Sequence, residues 1–545
     1  MQITKKLVLI LVLAMLLRTY MLNSNPPHLS PDEAALGYNA YSILKTGKDE
    51  WGQTLPLIFK SFGDYKPGSY VYLTVPFVWL LGLSEFAIRL PSALAGVGVV
   101  YILYKIVEKV FKDRSLALIS AFVASTNPWL IQFSRGAWEV NVSLLFTMIG
   151  VYLFLIALTR PKYLVLSALF FGLTLLTYQG AKLSSVLVIL VLAGVNFREF
   201  WRIDNKIKVI SVLIGLMVTL PILIGMIQGK AGRLEVYSVF SYPRKGEILE
   251  NFLNEGEVVK GGLTYELFYS EGLNFTRGIL GRWFNHYSPR FLFFEGDWQN
   301  PRHSVPNSGL FLLGDLPFLI LGLVTLARIN DKRARKLLVL WLVLTPLPAI
   351  LSRDQVHAVR SMNLSIGLII VMALGWQAIL KLKKKWLMAG ALVLYVGGLV
   401  YYLDALMIHL PKHDSRLWGY GYKQIVETVT PIQSNYKRVL IQQSYDQPYI
   451  YFLFFQKYDP DNWQAQAEYV PGENKFDVGK VEKMDSIVFG PVDWSLNRGD
   501  SGSLYVADTI KMPIIDSTDE SQFKLIKEIK YLDNKYVAFR IIEIK

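Results

Sequence analysis

Residues 90–133 read LPSALAGVGVVYILYKIVEKVFKDRSLALISAFVASTNPWLIQF, which is two apolar runs with a basic segment between them. Each run, 90–111 and 115–133, is close to the roughly 17–25 residues that a membrane-spanning helix needs. Because cytoplasmic loops carry an excess of Lys and Arg, the pattern predicts two spanning helices joined on the cytoplasmic side. The basic residues of this junction are Lys105, Lys109, Lys112 and Arg114.

The same pattern extends along the chain and predicts a polytopic α-helical membrane protein with about eleven transmembrane helices. Of the 545 residues, 52% are apolar and 18% are charged, whereas soluble proteins are about 25% charged. The apolar stretch 69–82 is too short for a span and is expected to be an interfacial or re-entrant helix. The other predicted spans are 7–22, 143–158, 164–180, 184–197, 208–227, 309–327, 337–351, 362–380 and 386–403.

The net charge of +14 is a topology signal and does not indicate a nucleic-acid partner. The alternate loops that we assign to the cytoplasm hold 21 Lys and Arg residues against five Asp and Glu, and the rest of the chain is nearly neutral. The amino terminus is therefore predicted to be cytoplasmic, and the first run is read as an uncleaved helix. With an odd number of spans in the plasma (inner) membrane, the tail after residue 403 is predicted to be extracytoplasmic.

Two domains are predicted from this layout, a transmembrane catalytic domain at 1–403 and a small soluble α/β domain at 404–545. The tail shows a helical segment at 418–430, strands at 438–442 and 486–492, and a hairpin at 523–544. It has no phosphate-binding or nucleotide-binding motif. Five segments face outward with it: the long loops 23–88 and 228–308, and the short loops 134–142, 178–183 and 352–361.

The sequence Ser30-Pro31-Asp32-Glu33 opens the first outer loop and has two compatible interpretations. Ser as N-cap, Pro at the first helical position and Glu at the third form a capping box. Alternatively, Asp32 is an ionised carboxylate at the membrane surface that accepts a proton from an attacking hydroxyl.

The other outer loops supply further charged candidates, each with a structural alternative. Lys66 suits a phosphate at headgroup level but also fits a snorkelling lysine. Arg135 and Glu139 have the i, i+4 spacing of a surface ion pair. The arginines of loop 352–361 suit phosphate oxygens, although an ordinary interface loop is an alternative. The remaining candidates are Asp64, Arg89, Arg302, His303, Arg353, His357 and Arg360.

These candidates share one water–lipid boundary although they are far apart in the chain. Cations with a carboxylate at the headgroup level suit a lipid-phosphate substrate. The chain has no cysteine, and His28, His303 and His357 lack close metal-ligand spacing, so no zinc site is expected from spacing. No cofactor is implied with certainty, and a divalent metal is left open.

The stretch 31–95, with PDEAALGYNAYSILKTGKDEWG, FGDYKPGSYVYLTVPF and RLPSALAG, resembles the first outer loop of GT-C membrane glycosyltransferases. The resemblance is to the family 39-like enzymes, in the branch of protein O-mannosyltransferases and aminoarabinose lipid A transferases. The segments 127–141, 288–309 and 357–361 are also similar to bacterial members. The resemblance covers roughly 1–403.

The resemblance implies a sugar donor linked to a polyprenyl phosphate, one-step displacement with inversion, and a lipid, glycan or protein hydroxyl as acceptor. It implies that Asp32 deprotonates the acceptor, that Glu33 orients Asp32 or binds the acceptor, and that Lys66 and outer arginines stabilise the leaving phosphate. Two alternatives stay open: a lipid or solute transporter, and a ligase or polymerase of surface glycans.

Overall fold

The computed structural model describes residues 5–230, 234–443, 447–472, 479–513 and 519–545. Each of the eleven predicted spans contains a helix. Within the described residues, five helical runs are long and apolar enough to cross a membrane: 85–111, 139–157, 205–227, 362–381 and 385–418. The helices in the predicted spans are Lys5–Thr19, Glu85–Phe111, Arg114–Thr126, Glu139–Ala157, Tyr163–Leu175, Ala181–Val195, Asn205–Ile227, Leu316–Ala327, Lys332–Leu344, Met362–Lys381 and Lys385–Asp404.

The outer surface of this helical bundle is apolar. On the helix Asn205–Ile227, Leu213, Met217 and Leu220 are exposed, and only 17% of its most apolar window is buried. By contrast, 78% of the corresponding window of Met362–Lys381 is buried. An apolar face of this extent fits lipid contact. The helix Asn205–Ile227 therefore lies at the rim of the bundle, and Met362–Lys381 lies in its centre.

The first outer loop folds into a helix, a two-stranded hairpin and a second helix. The helix Pro31–Thr46, here called the capped helix, starts at the capping box of Ser30 and Glu33 and ends at Gly47 in the left-handed region. Strands β1, Ile58–Ser61, and β2, Asp64–Pro67, pair antiparallel with Phe59 opposite Lys66. The apolar helix Ser69–Leu81 follows, within the stretch 69–82 for which a short helix is predicted.

The second long outer loop is mostly helical and lies against the short loop 352–361. The backbone N–H of Val239 donates to Leu351, and that of Arg353 donates to Tyr237. The start of the second long loop is therefore anchored to the short loop 352–361. The elements of this region are Leu234–Tyr237, Gly246–Glu255, Leu263–Phe268, Glu271–Asn285, the π-helix Arg290–Phe294 and the 3-10 turns Val239–Ser241, Pro301–His303 and Leu313–Asp315.

The tail contains a six-stranded mixed sheet. The strand order is β4-β5-β3-β6-β8-β7, in which β3 runs parallel to β5 and β6 and the other pairs are antiparallel. The strands are β3 Arg438–Gln442, β4 Lys483–Met484, β5 Ile487–Gly490, β6 Ser503–Ala507, β7 Phe523–Lys530 and β8 Val537–Ile544, and the helices are Tyr422–Val429, Pro448–Phe455, Pro460–Gln466 and Trp494–Asn497.

The remaining short helices connect these parts. The last bundle helix does not stop at residue 404 but continues through a π-turn into a helical run to residue 418, so the predicted domain boundary falls inside a continuous rod. The connecting helices are Pro128–Gln132, Phe197–Trp201, Leu347–Ile350, Ala405–His409, Leu410–Asp414, Ser415–Trp418 and Gln433–Asn435.

The tail and the first outer loop share one apolar core. Residues of the capped helix and of Pro448–Phe455, here called the tail helix, belong to the same buried cluster. The Tyr38 hydroxyl donates to the Tyr458 carbonyl at 3.1 Å, and the Tyr451 hydroxyl donates to the Leu29 carbonyl at 3.2 Å. The sheet of the tail is thereby held over the first outer loop.

Candidate active site

Asp32 and Lys66 form an ion pair between the first turn of the capped helix and strand β2. The Asp32 side chain is 55% exposed and that of Lys66 is 19% exposed. The Asp32 carboxylate is therefore accessible from the solvent, while Lys66 is largely covered.

The charge of both partners is stabilised. Desolvation by the surrounding protein raises the pKa of Asp32, but Lys66 and then Arg302 pull it further down, so the pKa lies below its ordinary value. Burial lowers the pKa of Lys66, and Asp32, Glu139 and Asp64 outweigh it, so that pKa lies above its ordinary value. Asp32 is therefore ionised and Lys66 protonated at neutral pH.

Five predicted residues meet at this point: Asp32, Asp64, Lys66, Glu139 and Arg302. Asp64 and Lys66 lie on the same short strand, and Glu139 begins the helix Glu139–Ala157. Arg302 lies in the 3-10 turn Pro301–His303, whose carbonyl accepts a hydrogen bond from Gln132 at 2.9 Å. Three carboxylates and two cations from four separate chain segments thus form one polar cluster.

Glu33 is adjacent to Asp32 but has different surroundings. Its carboxylate accepts from Arg89 Nε at 2.9 Å, from the Ala137 N–H at 2.9 Å and from the Ser30 N–H at 3.0 Å. Glu33 is buried, and the capping box is formed in full. The structure therefore places Glu33 in the scaffold that fixes the start of the helix, whereas the Asp32 side chain stays accessible to solvent.

Arg89 and Arg135 are also buried and bind backbone carbonyl groups. Besides Glu33, Arg89 donates to the carbonyls of Leu22, Pro26 and His28 at 2.6–3.1 Å. The terminal nitrogens of Arg135 donate to three further carbonyls at 2.8–2.9 Å and, among the described residues, make no ion pair with Glu139. Both arginines hold the chain between the first helix and the capped helix, and the structure does not bring them to the Asp32 cluster. The carbonyls bound by Arg135 belong to Leu17, Tyr20 and Asn25.

The two arginines of loop 352–361 differ in position. Arg353 is exposed and donates to the Tyr242 hydroxyl at 3.2 Å. Arg360 donates to Asp354 at 2.8 Å and lies 4.7 Å from the centre of the Tyr237 ring. Arg360 also lines a cavity, whereas Arg353 stays at the surface.

That cavity is small and lies among the helices Glu139–Ala157, Ala181–Val195 and Met362–Lys381. A second, apolar cavity is lined by residues of Glu85–Phe111, Glu139–Ala157, Lys332–Leu344 and Met362–Lys381. The two cavities share two of their lining helices. The first cavity is lined by Val140, Ser143, Leu144, Thr147, Tyr178, Ser184, Val359, Arg360, Met362 and Asn363.

His303 and His357 lie together in a buried cluster with Asp297. His303 Nδ1 lies 2.8 Å from Asp297 Oδ2, and the two imidazole rings are 5.0 Å apart between centres. His28 is elsewhere, where its Nε2 accepts from the Lys423 N–H at 3.1 Å. Of the three histidines considered in the sequence analysis, the structure therefore brings together His303 and His357, which are 54 residues apart in the chain.

Sequence reasoning missed the groups around the β1–β2 hairpin. Gln179 donates to the Tyr65 carbonyl, Lys230 lies 5.7 Å from the Tyr65 ring, and Lys182 is within electrostatic range of Asp64. The signal was present, because both lysines lie in segments predicted to face outward. Their distance from the hairpin in the sequence, more than 100 residues, concealed the contact.

Comparison with solved structures identifies the class of fold. ArnT from Cupriavidus metallidurans in the apo state superposes with a TM-score of 0.57 at 14% identity, over 98% of this chain and 97% of that chain. ArnT from the same organism bound to undecaprenyl phosphate gives a TM-score of 0.55 at 13% identity over the same shares. At this identity the likeness shows the fold alone, which is the membrane fold of GT-C glycosyltransferases.

A family model and two curated relatives agree with this class. Residues 66–224 match the model of the dolichyl-phosphate-mannose-protein mannosyltransferases. YycA of Bacillus subtilis (strain 168), described as a candidate mannosyltransferase, is 25% identical over 252 residues, which are 46% of this chain and 35% of YycA. YkcB of the same strain, described likewise, is 23% identical over 165 residues, which are 30% of this chain and 23% of YkcB.

The matched segments thus span well under half the length of both curated relatives. The predicted resemblance to GT-C membrane glycosyltransferases of the family 39 type is confirmed by the fold and the family model together.

Proposed function

We propose that the protein is an inverting glycosyltransferase that moves a sugar from a polyprenyl-phosphate donor to a hydroxyl acceptor outside the cytoplasm. The observation that carries this proposal is the solvent-accessible Asp32–Lys66 pair, which has Glu139, Asp64 and Arg302 within electrostatic range. The family match at 66–224 and the undecaprenyl phosphate bound by ArnT support the donor class.

Asp32 acts as the base of the reaction. The acceptor oxygen attacks the anomeric carbon, the bond between that carbon and the phosphate oxygen breaks, and the polyprenyl phosphate leaves. The acceptor proton passes to Asp32, which is ionised and held by a helix start. Displacement in one step inverts the anomeric centre.

Lys66 and Arg302 neutralise the charge that develops on the leaving phosphate, and Arg360 lines a small cavity beside the helix Met362–Lys381. In the structure Lys66 is bound to Asp32, which lowers the basicity of that carboxylate. A donor phosphate competes for the same ammonium group. Donor binding therefore draws Lys66 away and raises the basicity of Asp32 before the acceptor is deprotonated.

The other predicted residues have supporting roles in this proposal. Glu33, Arg89 and Arg135 hold the start of the capped helix and the preceding turn in place. Glu139 and Asp64 lie on the acceptor side, where a carboxylate can accept a hydrogen bond from a sugar or protein hydroxyl. Arg353 at the exposed mouth contacts a charged headgroup or acceptor. A membrane lipid, glycan or protein supplies the hydroxyl.

The proposal is tested with the purified protein in proteoliposomes. Mannosyl-phosphoryl-undecaprenol is supplied as donor, because the matched family model is described by mannose transfer. We expect undecaprenyl phosphate to be released only when both the lipid donor and the acceptor are present. The product should be heavier than the acceptor by a single sugar. A nucleotide-linked mannose at the same concentration should give no product.

The variant Asp32→Asn should lose this transfer activity. Asp461→Asn is its matched control, because Asp461 is an exposed carboxylate in the tail, and the turnover of this control should equal that of wild type. Transfer of a preassembled chain would contradict the proposal in favour of a glycan ligase. Substrate flux across the vesicle without a covalent product would contradict it in favour of a transporter.

A further inference from the structure

Three potential metal-ligating side chains converge behind Arg302. Asp297, His303 and His357 each offer one ligand atom, and these atoms all lie within 4.8 Å of one another. Asp297 is fully buried, while His303 and His357 are 7% and 8% exposed. The three come from two different outer loops, 228–308 and 352–361.

The Asp297 carboxylate is fixed in place by the backbone of both loops. Its Oδ2 accepts from the Ala358 N–H at 2.7 Å, and its Oδ1 accepts from the Asn300 N–H at 3.0 Å. Hydrogen bonds of this kind from the surroundings orient metal-ligating carboxylates in proteins. The carboxylate is therefore already held in one orientation before an ion binds.

The two histidines are placed to complete the ligand set. His303 Nδ1 lies 2.8 Å from Asp297 Oδ2, which without an ion is a hydrogen bond and is also a spacing that two ligands of one ion can share. His357 Nδ1 accepts the Arg360 N–H at 3.3 Å, and its Nε2 lies 3.8 Å from Asp354 Oδ2. Both contacts are long, so a ring nitrogen is released readily when an ion binds.

We propose that Asp297, His303 and His357 bind one divalent first-row transition metal ion, with Zn²⁺ as the ion that fits best. Two imidazole nitrogens and one carboxylate oxygen suit Zn²⁺ and its neighbours rather than Mg²⁺ or Ca²⁺, which prefer oxygen ligands. Ligand atoms within 4.8 Å of one another need small side-chain rotations to reach the roughly 2.0–2.2 Å of zinc bonds. Sequence spacing did not predict the site, because its ligands lie 54 and 60 residues from His357.

The ion cross-links two loops that carry cations of the proposed active site. The turn Pro301–His303 includes Arg302, and His357 is three residues from Arg360. Metal binding would therefore fix the positions of both arginines. The inference about metal binding itself does not depend on the proposed function, since it rests on the ligand geometry alone.

The test is metal binding by the full-length protein in detergent, after removal of metals by a chelator. The variant His409→Ala/His413→Ala serves as the background, because these rings are 5.7 Å apart on an exposed helical segment and would bind transition metals adventitiously. We expect this background to bind about one equivalent of Co²⁺ with visible absorption bands of a four-coordinate site, displaced by Zn²⁺.

Adding His303→Ala or His357→Ala should weaken Co²⁺ binding by more than the roughly 10–100-fold typical of residues that only support metal ligands. His286→Gln is the matched control: His286 accepts the His357 N–H at 3.2 Å but is not one of the three ligands. With this substitution added to the background protein, about one equivalent of Co²⁺ should still bind.

Absence of Co²⁺ binding by the background protein would overturn the proposal, as would unchanged binding in His303→Ala. If the alanine variants do not fold, X-ray absorption of the zinc-loaded background protein decides. Scattering from two imidazoles supports the site, and a spectrum without imidazole contradicts it.

Discussion

At the residue scale, Asp32 and Glu33 show how two adjacent carboxylates take different environments. Glu33 is enclosed by Arg89 and two backbone N–H groups, whereas Asp32 is partly exposed and pairs with Lys66. The difference follows from helix geometry, since the third helical position faces back to the N-cap and the second does not. The proposed chemistry is therefore assigned to Asp32 alone.

Lys66→Ala should weaken binding of undecaprenyl phosphate by roughly 10- to 150-fold, because it removes one charge-assisted contact of about 1.5–3 kcal/mol. Binding is measured by equilibrium titration of the lipid into the detergent-solubilised protein. Lys48→Ala, which removes an exposed lysine of the same loop, should leave affinity unchanged. Equal affinities of Lys66→Ala and wild type would remove Lys66 from the phosphate site.

Glu50 should make the docking of the tail depend on pH. Burial raises the pKa of Glu50 to about 8, although hydrogen bonds from Asn39 and Tyr449 act in the opposite direction. The folded protein therefore keeps a proton that the unfolded chain loses, so stability falls as pH rises from about 5 to about 8 and then levels off. Asp49, whose pKa is also raised by burial, shares this direction.

Thermal unfolding midpoints of wild type and Glu50→Gln between pH 5 and 9 measure this effect. Glutamine has nearly the shape of glutamate and can still accept a hydrogen bond, but it cannot ionise. The thermal unfolding midpoint of Glu50→Gln should therefore vary less with pH than that of wild type. A wild-type profile as flat as that of the variant would show that Glu50 is ionised in the folded protein.

At the element scale, the capped helix joins the bundle, the hairpin and the tail. Its first turn carries Asp32, and its middle packs against the tail helix without a side chain at Gly37. A Cβ at Gly37 would lie 2.6 Å from the Phe454 ring and 2.8 Å from Ile88. The glycine is required by this close approach and not by an unusual backbone angle.

Gly37→Ala should therefore destabilise the contact between the capped helix and the tail helix by about 1–3 kcal/mol, the usual cost of overpacking. Gly194→Ala is the matched control, since a Cβ there meets nothing within 4 Å. Limited proteolysis of the tail should accelerate in the first variant and stay unchanged in the second. Equal cleavage rates for Gly37→Ala and wild type would show that the contact accommodates a methyl group and that the glycine is not required there.

The sequence predicted elements well where one segment determines them. The capping box, the short apolar helix Ser69–Leu81 and the strand at 438–442 all lie where their local patterns placed them. It could not predict that Arg89 and Arg135 would be enclosed by carbonyls, because a snorkelling, a phosphate-binding and a buried arginine have the same local pattern. The Asp297–His303–His357 cluster and the Gly37–Phe454 contact likewise depend on tertiary packing.

At the scale of the whole molecule, the arrangement places all candidate chemistry at one face of the bundle. The hairpin, the turn Pro301–His303 and loop 352–361 meet there, and the tail covers the first outer loop. A small polar cavity lies beside Arg360, and a separate apolar cavity lies among the bundle helices. Such a layout suits a lipid substrate whose head reacts at the surface and whose chain stays in the membrane.

The charge distribution predicts that residues 404–545 are extracytoplasmic. Protease added to intact spheroplasts should remove the tail while leaving a reporter on the amino terminus untouched. Detergent lysis is the control that shows both ends to be cleavable. Complete protection of the tail in intact spheroplasts would reverse the orientation and place the site on the cytoplasmic side.

The central claim is that Asp32 takes the acceptor proton while Lys66 holds the donor phosphate. The most direct measurement is single-turnover sugar transfer by Asp32→Asn at saturating donor, together with its affinity for undecaprenyl phosphate. We expect a turnover rate lower by about 10²–10⁴-fold, as is typical for loss of a general base, with normal membrane abundance and no loss of lipid affinity. Turnover per molecule equal to that of wild type, with lower membrane abundance, would contradict the claim and reduce Asp32 to a residue of the helix cap.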